Sequence, residues 1–267
     1  MKLGFIGVGK MGSALLEGVL LAGLCKPEQI FVHDAYQPAV DNCVKKNAVV
    51  AAGSNEALVE NSETVLLCVK PQDALSTIEG FTKGGGEQRL LISIAAGTTI
   101  KDLELASQNK HRVVRVMPNT PALIGKGASA FALGKTATSE DAKTVSQILK
   151  SVGLAIEVKE PQLDAVTGLS GSGPAYIFTV IEALADGGVR EGLSKPVALQ
   201  LAAQTVAGAA DLVLQTGDHP SVLRDNVTSP GGTTIAGLAQ LEKQGLRSAL
   251  IEAVRAATER SRELGGG

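Results

Sequence analysis

Near the start of the chain, Gly7-Val8-Gly9-Lys10-Met11-Gly12 joins the short apolar run Lys2–Ile6 to a helical stretch. Glycines at these three positions suit a turn that holds a pyrophosphate. Gly7 permits the tight turn, Gly9 lets the main chain approach the phosphates, and Gly12 lets helix and strand pack closely. The helix that follows would offer free N–H groups and its positive dipole end to phosphate oxygens. A lone GxGxxG is weak evidence, and the preceding strand-like run is what gives this one weight. Asp34 follows about 20 residues after the last glycine, where a carboxylate hydrogen-bonds the adenosine ribose of a nicotinamide dinucleotide. The next residues, Ala35-Tyr36-Gln37, supply no Arg or Lys to meet a 2′-phosphate. These features indicate NAD(P)H as cofactor and favour NADH over NADPH; the bland alternative for Asp34 is a solvated turn residue.

Three further loops carry small residues and prolines: Cys68-Val69-Lys70-Pro71, Ile94-Ala95-Ala96-Gly97 and Met117-Pro118-Asn119-Thr120-Pro121. If the runs before them are parallel strands, these loops share the edge of the sheet that borders a ligand crevice. Small side chains admit a cofactor to the backbone there, and proline stiffens the loops. Two later segments also stand out. Asp164-Ala165-Val166-Thr167-Gly168-Leu169-Ser170-Gly171-Ser172-Gly173-Pro174-Ala175-Tyr176 reads as a Gly/Ser break in helical sequence, with Pro174 restarting the helix. Asp225-Asn226-Val227-Thr228-Ser229-Pro230-Gly231-Gly232-Thr233-Thr234 reads as a loop opening a helix that Ser229 or a Thr could cap. A helix start framed by glycines and hydroxyls suits a small carboxylate, although an ordinary capped helix has the same appearance.

The strands and helices around these residues fall into two parts. Strands are expected at Lys2–Ile6, Ile30–His33, Thr64–Cys68, Leu90–Ile94 and Val113–Met117, with helices between them at Met11–Ala22, Pro38–Lys46, Asn55–Glu60, Ala74–Ile78 and Ile100–Ser107. Runs this apolar belong to a parallel sheet covered on both faces, so residues 1–160 read as a doubly wound α/β domain. Gly127–Leu133, Ser139–Ser151 and Ala155–Val158 are expected to extend its sheet. Residues 161–267 read as all-helical, with Pro174–Leu184, Pro196–Leu214 and Leu246–Glu263 long and Ala-rich. Several of these are apolar around much of their circumference, which predicts packing against a second subunit; the other reading is that they wrap the first domain. Gly265-Gly266-Gly267 is expected to form a tail without fixed structure.

Composition narrows the partners. Lys and Arg number 25 against 27 Asp and Glu, and aromatics are 3% with no Trp, so neither charge nor stacking surface invites nucleic acid. Cys25, Cys43 and Cys68 have no ligand-like spacing, so no metal is expected and the thiols read as buried in a reducing compartment. Met1–Ile6 is too short for a signal peptide. No apolar run is expected to approach the roughly 20 residues that cross a bilayer. The expectation is a cytoplasmic protein with no membrane partner.

Taken together, the segments SPGGTT after Asp225-Asn226, DAVTGLSGSGPAY, Val69-Lys70-Pro71 and Asn119-Thr120-Pro121 occur in the order seen in one family. From Gly4 to Leu264 the chain resembles the pyrroline-5-carboxylate reductases. The resemblance implies an N-terminal Rossmann domain, a helical domain that interlocks with its twin in a homodimer, and assembly of dimers into decamers. It implies NAD(P)H-dependent reduction of 1-pyrroline-5-carboxylate to proline. It assigns Thr234 to the ring nitrogen, and Ser229, Gly232 and Thr233 to the carboxylate. Glu160 and Asn226 would lie near the substrate or nicotinamide. Ile6, Gly7, Val8, Gly9, Lys10, Met11, Gly12, Asp34, Asn55, Cys68, Val69, Lys70, Pro71, Ala95 and Ala96 would line the cofactor. Asp34 departs from many relatives, which carry small or amide residues there, often with NADPH use. His33, His111 and His219 are scattered, so catalysis would rest on orientation and Thr234 in place of a strong acid. A related imine reductase or β-hydroxyacid dehydrogenase of the same plan is the runner-up, but the latter needs a central-helix Lys, and none stands between Lys159 and Lys195.

Overall fold

The computed structural model describes residues 1–83 and 86–266. The chain forms two compact units, Met1–Ser172 with Arg255–Gly267, and Gly173–Val254. In the first unit the order is β1 (Leu3–Ile6), α1 (Lys10–Leu21), β2 (Ile30–His33), α2 (Gln37–Asn47), β3 (Val50–Ala51), α3 (Asn55–Asn61), β4 (Thr64–Leu67), α4 (Pro71–Thr82), β5 (Leu90–Ser93), α5 (Ile100–Ala106), β6 (Arg112–Met117), β7 (Gly127–Leu133), α6 (Ser139–Lys150), β8 (Gly153–Glu157) and the short α7 (Leu163–Val166). The strands make one sheet in the order β3-β2-β1-β4-β5-β6-β7-β8. The first six in that order run parallel, the doubly wound arrangement expected from their apolar runs. Strand β7 reverses against β6 and pairs parallel with β8. Residues 118–126 between β6 and β7 hold only a short 3₁₀ turn, too little chain for the crossover a parallel pair needs.

The two-residue alternation of the strands sorts the core into two layers. Leu3, Phe5, Ile30, Val32, Leu66, Ile92, Val114 and Phe131 face Leu15, Leu16 and Val19 of α1 and Val145, Ile148 and Leu149 of α6. Ile6, Val65, Leu67, Leu91 and Val113 face Leu58 of α3, Ile78 and Phe81 of α4, and Leu103 of α5. Every residue of β1, β4 and β5 is buried, which explains why they read as continuous apolar runs. Strand β3 was not anticipated, being two exposed residues at the sheet edge.

His111 is buried just ahead of β6, its ring 5.9 Å from that of Phe81 and its Nδ1 accepting the Arg89 N–H at 3.1 Å. Burial, with Lys110, Arg89 and Arg112 nearby, pushes its pKa down to about 4 from the ordinary 6.5. The native state thus holds the neutral imidazole, while the unfolded chain takes up a proton below pH 6.5. Stability should be fully present above about pH 6.5 and fall by up to about 3 kcal/mol on acidification towards pH 4. Urea midpoints at pH 7 and pH 4.5 would show the drop, and His111→Gln should shrink it.

The remaining helices are α8 (Gly173–Arg190), α9 (Lys195–Thr216), α10 (Pro220–Asn226), α11 (Thr233–Lys243) and α12 (Leu246–Leu264), whose last residues, from Arg255, belong to the first unit. The expected break before Pro174 is instead a π-helical turn, Thr167–Gly171, in which the Ser172 N–H donates to the Thr167 carbonyl at 2.8 Å. Serine and glycine tolerate the wider turn without ending the helix. The C-terminal tail also differs from expectation: the Gly265 N–H donates to the Ser261 and Arg262 carbonyls at 3.1 and 3.0 Å, and Gly267 lies outside the described residues. A third correction concerns α9, whose length and mean hydropathy of 1.5 do reach those of a membrane span. Its interior spreads Ala, Val and Leu among Gln200, Gln204 and Asp211, so the run is apolar on average though never continuous. In the second unit Ala185, Ala198 and Ala202 form the buried apolar cluster, while Phe178, Leu201 and Leu214 are 64%, 55% and 76% exposed.

Candidate functional site

The first site is a cleft of about 510 Å³ at the carboxyl edge of the sheet, lined by the chain leaving β1, β2 and β4 and by one side of α4. Gly7 leaves β1 with φ +95°, and its N–H donates to the His33 carbonyl at 2.8 Å. A Cβ on Gly7 would stand 2.6 Å from the Cys68 carbonyl oxygen, so only glycine makes this turn. A Cβ on Gly12 would run into the Gly7 carbonyl oxygen, which is the close packing of strand and helix expected there. Gly9 differs: nothing among the described residues lies within 4 Å of where its Cβ would be. That open space lies at the start of α1, whose N-cap, Gly9, provides no side-chain cap. A cradle of this kind, bare backbone at a positive helix end, suits phosphate oxygens.

Asp34 closes the other side of the turn. Its Oδ2 accepts the Val8 N–H at 2.8 Å and its Oδ1 accepts the Tyr36 N–H at 2.9 Å. The carboxylate is therefore part of the glycine turn, and each oxygen keeps lone pairs for a ribose hydroxyl. Asn55, first residue of α3, also lines the cleft, and its Oδ1 is buried with no hydrogen-bond partner among the described residues. An orphaned acceptor costs about 1–3 kcal/mol, a cost that a donor on a bound ligand would remove. The residues present fit a dinucleotide on these two grounds, the cradle at Gly9 and the unanswered Asn55. Cys68 lines the cleft too, but burial pushes its thiol up to about 12, so it stays neutral and contributes bulk in place of a nucleophile.

Of the residues expected at the cofactor, Ile6, Gly7, Gly9, Asp34, Asn55, Cys68, Val69 and Lys70 line this cleft. Val8 is buried beneath it, Lys10, Met11 and Gly12 form the first turn of α1, and Pro71 begins α4. Ala95 and Ala96 lie in the loop after β5, Ala95 buried and Ala96 exposed. His33, Ala35, Tyr36, Asp73 and Thr77 also line the cleft and were not anticipated. Asp73 was missed because α4 starts at Pro71, with proline in its first turn, and not at Ala74. The earlier start puts Asp73 inside the helix, four residues before Thr77 and on the same face.

Glu160 is in the first unit, where its Oε1 accepts the Ile100 N–H at 2.6 Å and pairs with Arg115 Nη1 at 3.2 Å. Asn226, Ser229, Gly232, Thr233 and Thr234 are in the second unit. Asn226 ends α10, and Gly231 turns with φ +68° ahead of α11. The N-cap of α11 is Gly232, its own N–H donating to the Ser229 carbonyl at 3.1 Å, and no side chain caps the helix. The expected cap by Ser229 or a Thr is thus absent, because the Gly231 turn places glycine at the cap position. Thr233 and Thr234 occupy the first turn of α11. Uncapped N–H donors there keep the positive helix end open to an anion.

Sheet order, glycine turn and helical second unit define an NAD(P)-dependent oxidoreductase with a Rossmann-like sheet. Residues 160–264 match the family model described as pyrroline-5-carboxylate reductase dimerisation, and residues 2–97 match one described as NADP oxidoreductase coenzyme F420-dependent. The pyrroline-5-carboxylate reductase of Methanosarcina acetivorans is 49% identical over 99% of this chain and 98% of its own. A solved Coxiella burnetii pyrroline-5-carboxylate reductase superposes with TM-score 0.94 at 35% identity over 98% of each chain. Plasmodium falciparum pyrroline carboxylate reductase, solved with NADP bound, gives TM-score 0.87 at 37% identity over 99% of this chain and 98% of that one. The chain belongs to the pyrroline-5-carboxylate reductase family.

Proposed function

We propose that the chain reduces 1-pyrroline-5-carboxylate to L-proline with NAD(P)H, and that NADH is the preferred donor. The observation that carries the substrate class is the uncapped helix start at Gly232, framed by Ser229, Thr233 and Thr234. Its backbone N–H groups and these hydroxyls would hold the carboxylate, and Thr234 would hydrogen-bond the ring nitrogen. A bound dinucleotide would supply hydride for the imine carbon, and the nitrogen would keep its proton. With the nitrogen protonated, the carbon is electron-poor, so the residues need only orient two reactants and exclude water. Asn226 and Glu160 are placed beside the substrate or nicotinamide in this reading. The preference for NADH rests on Asp34, whose carboxylate would repel a 2′-phosphate, and on the absence of Arg and Lys from Ala35-Tyr36-Gln37.

The functional division we propose is a dinucleotide domain over 1–160 and a substrate and dimerisation domain over 161–267. The apolar faces of α8 and α9 are read as the surface of a homodimer, with decamers built from dimers. The same reading makes α9 an interface helix in a cytoplasmic protein and not a membrane span, since Gln200, Gln204 and Asp211 would each be costly in lipid. The test is a spectrophotometric assay of 1-pyrroline-5-carboxylate reduction with NADH and NADPH in parallel. Turnover, faster at low NADH than at low NADPH, is expected, and Thr234→Ala should slow it about 10- to 100-fold while leaving dinucleotide affinity unchanged. A folded, dinucleotide-binding chain that turns over with neither cofactor would move the assignment to another imine or hydroxyacid.

A further inference from the structure

Strand β5 lies beside β4 in parallel register, Leu67 opposite Ser93. The chain leaving β4 at Cys68, Val69 and Lys70 lines the cleft, so the chain leaving β5, residues 94–99, emerges on the same edge next to it. Val69 and Ala95 belong to one apolar cluster, which joins the two loops. The Asp34 and Tyr36 end of the cleft, over β2, is the adenosine side. A dinucleotide crossing the edge from there brings its nicotinamide half towards β4 and β5.

The 94–99 loop is held at two points, and both lead to the same helix end. Gly97, at φ +74°, packs against Leu264, whose Cβ stands 3.4 Å from where a Gly97 Cβ would be. Gly265 packs there too, the site of its own missing Cβ being 3.3 Å from the Gly97 carbonyl oxygen. At the far end, the Ile100 N–H donates to Glu160 Oε1, the oxygen that pairs with Arg115. Arg115 is buried, its Nη2 3.9 Å from Asp164 Oδ1. That carboxylate oxygen accepts the hydroxyl of buried Ser261 at 2.7 Å. Ser261 stands one helical turn before Leu264, so the end of α12 reaches the loop directly and also through Asp164, Arg115 and Glu160. A buried guanidinium holds its place only while its carboxylates hold theirs, which makes the path stiff.

We propose that Ser261, Asp164 and Arg115 are positioning residues that, with the C-terminal turn of α12, hold the 94–99 loop in shape for the nicotinamide half of the dinucleotide. None of them lines the cleft. The proposal rests on the reading of that cleft as a dinucleotide site. Its test uses the full chain, Ser261→Ala, and a chain ending at Glu263, each titrated with NADH and with ADP-ribose, which lacks the nicotinamide. Both variants are expected to bind NADH about fivefold more weakly, roughly the loss of one hydrogen bond, and ADP-ribose as tightly as the parent. KM for NADH should rise with kcat nearly unchanged. Equal weakening of both ligands would mean a general loosening and overturn the proposal, as would unchanged NADH affinity in both variants. If the unaltered chain bound neither ligand, the reading of the cleft would fall and the proposal with it.

Discussion

Gly9→Ala is expected to abolish dinucleotide binding in a chain that folds as stably as its parent, whereas Gly12→Val is expected to lose both binding and stability. The two glycines differ in what surrounds them. Gly9 has φ −67°, which alanine adopts without strain, and nothing lies within 4 Å of the added methyl. The only thing that methyl can obstruct is a ligand passing over the turn, and if pyrophosphate lies there, affinity should fall by about 100-fold or more. At Gly12 the added Cβ meets the Gly7 carbonyl oxygen, and Cys68 Cβ lies 3.2 Å away. Backbone cannot step aside as a flexible side chain can, so the helix must move off the strand at about 1–3 kcal/mol. Fluorescence titration with NADH, run beside thermal unfolding, separates the cases. Tight binding by Gly9→Ala would take the phosphates away from this turn.

The second large effect is expected at the helical unit. Leu201→Arg should convert the chain to a monomer and remove its activity. The packing of α8 on α9 buries Ala185, Ala198 and Ala202, side chains with little area to remove from water. The larger apolar groups, Phe178, Leu201 and Leu214, are more than half exposed in the isolated chain. Large apolar side chains left exposed on the helices of one unit are the usual mark of an interaction surface. A guanidinium forced into the covered interface without a partner should weaken association by about 2–5 kcal/mol. Sedimentation velocity at micromolar concentration would read the change directly. A parent chain that sediments as a monomer, or a variant that stays associated, would show that Leu201 is not buried by a second copy.

Much of the first unit was legible because its signals are local. Ile30–His33 carries three bulky apolar residues in a row between the Pro27-Glu28-Gln29 turn and Asp34, and it appears in the structure with those limits. The glycine turn was legible because three glycines at fixed spacing answer three separate steric demands, two of which the structure displays as collisions. What escaped was short or depended on boundaries. Strand β3 has no periodicity to read, and a helix start misplaced by three residues hid Asp73. At Gly232 the residue types indicated a capped helix, but the left-handed Gly231 before it decided which residue caps.

By itself the sequence determined the alternation of strand and helix, the turn at Gly7–Gly12, the change to an all-helical pattern after Glu160, and, through its ordered motifs, the family. The first three follow from nearest-neighbour sterics and from periodicities of two and 3.6 residues, which need no knowledge of distant chain, whereas the family rests on the resemblance of those motifs. Only the tertiary structure decided that Asp34 fastens the glycine turn through Val8, that Asn55 keeps a buried oxygen unanswered, and that β7 runs backwards. It alone joined Ser261 to Asp164 and Arg115 to Glu160, pairs 97 and 45 residues apart. Those pairings depend on which surfaces meet once the sheet is assembled, and burial then makes each polar group's partner a matter of several kcal/mol.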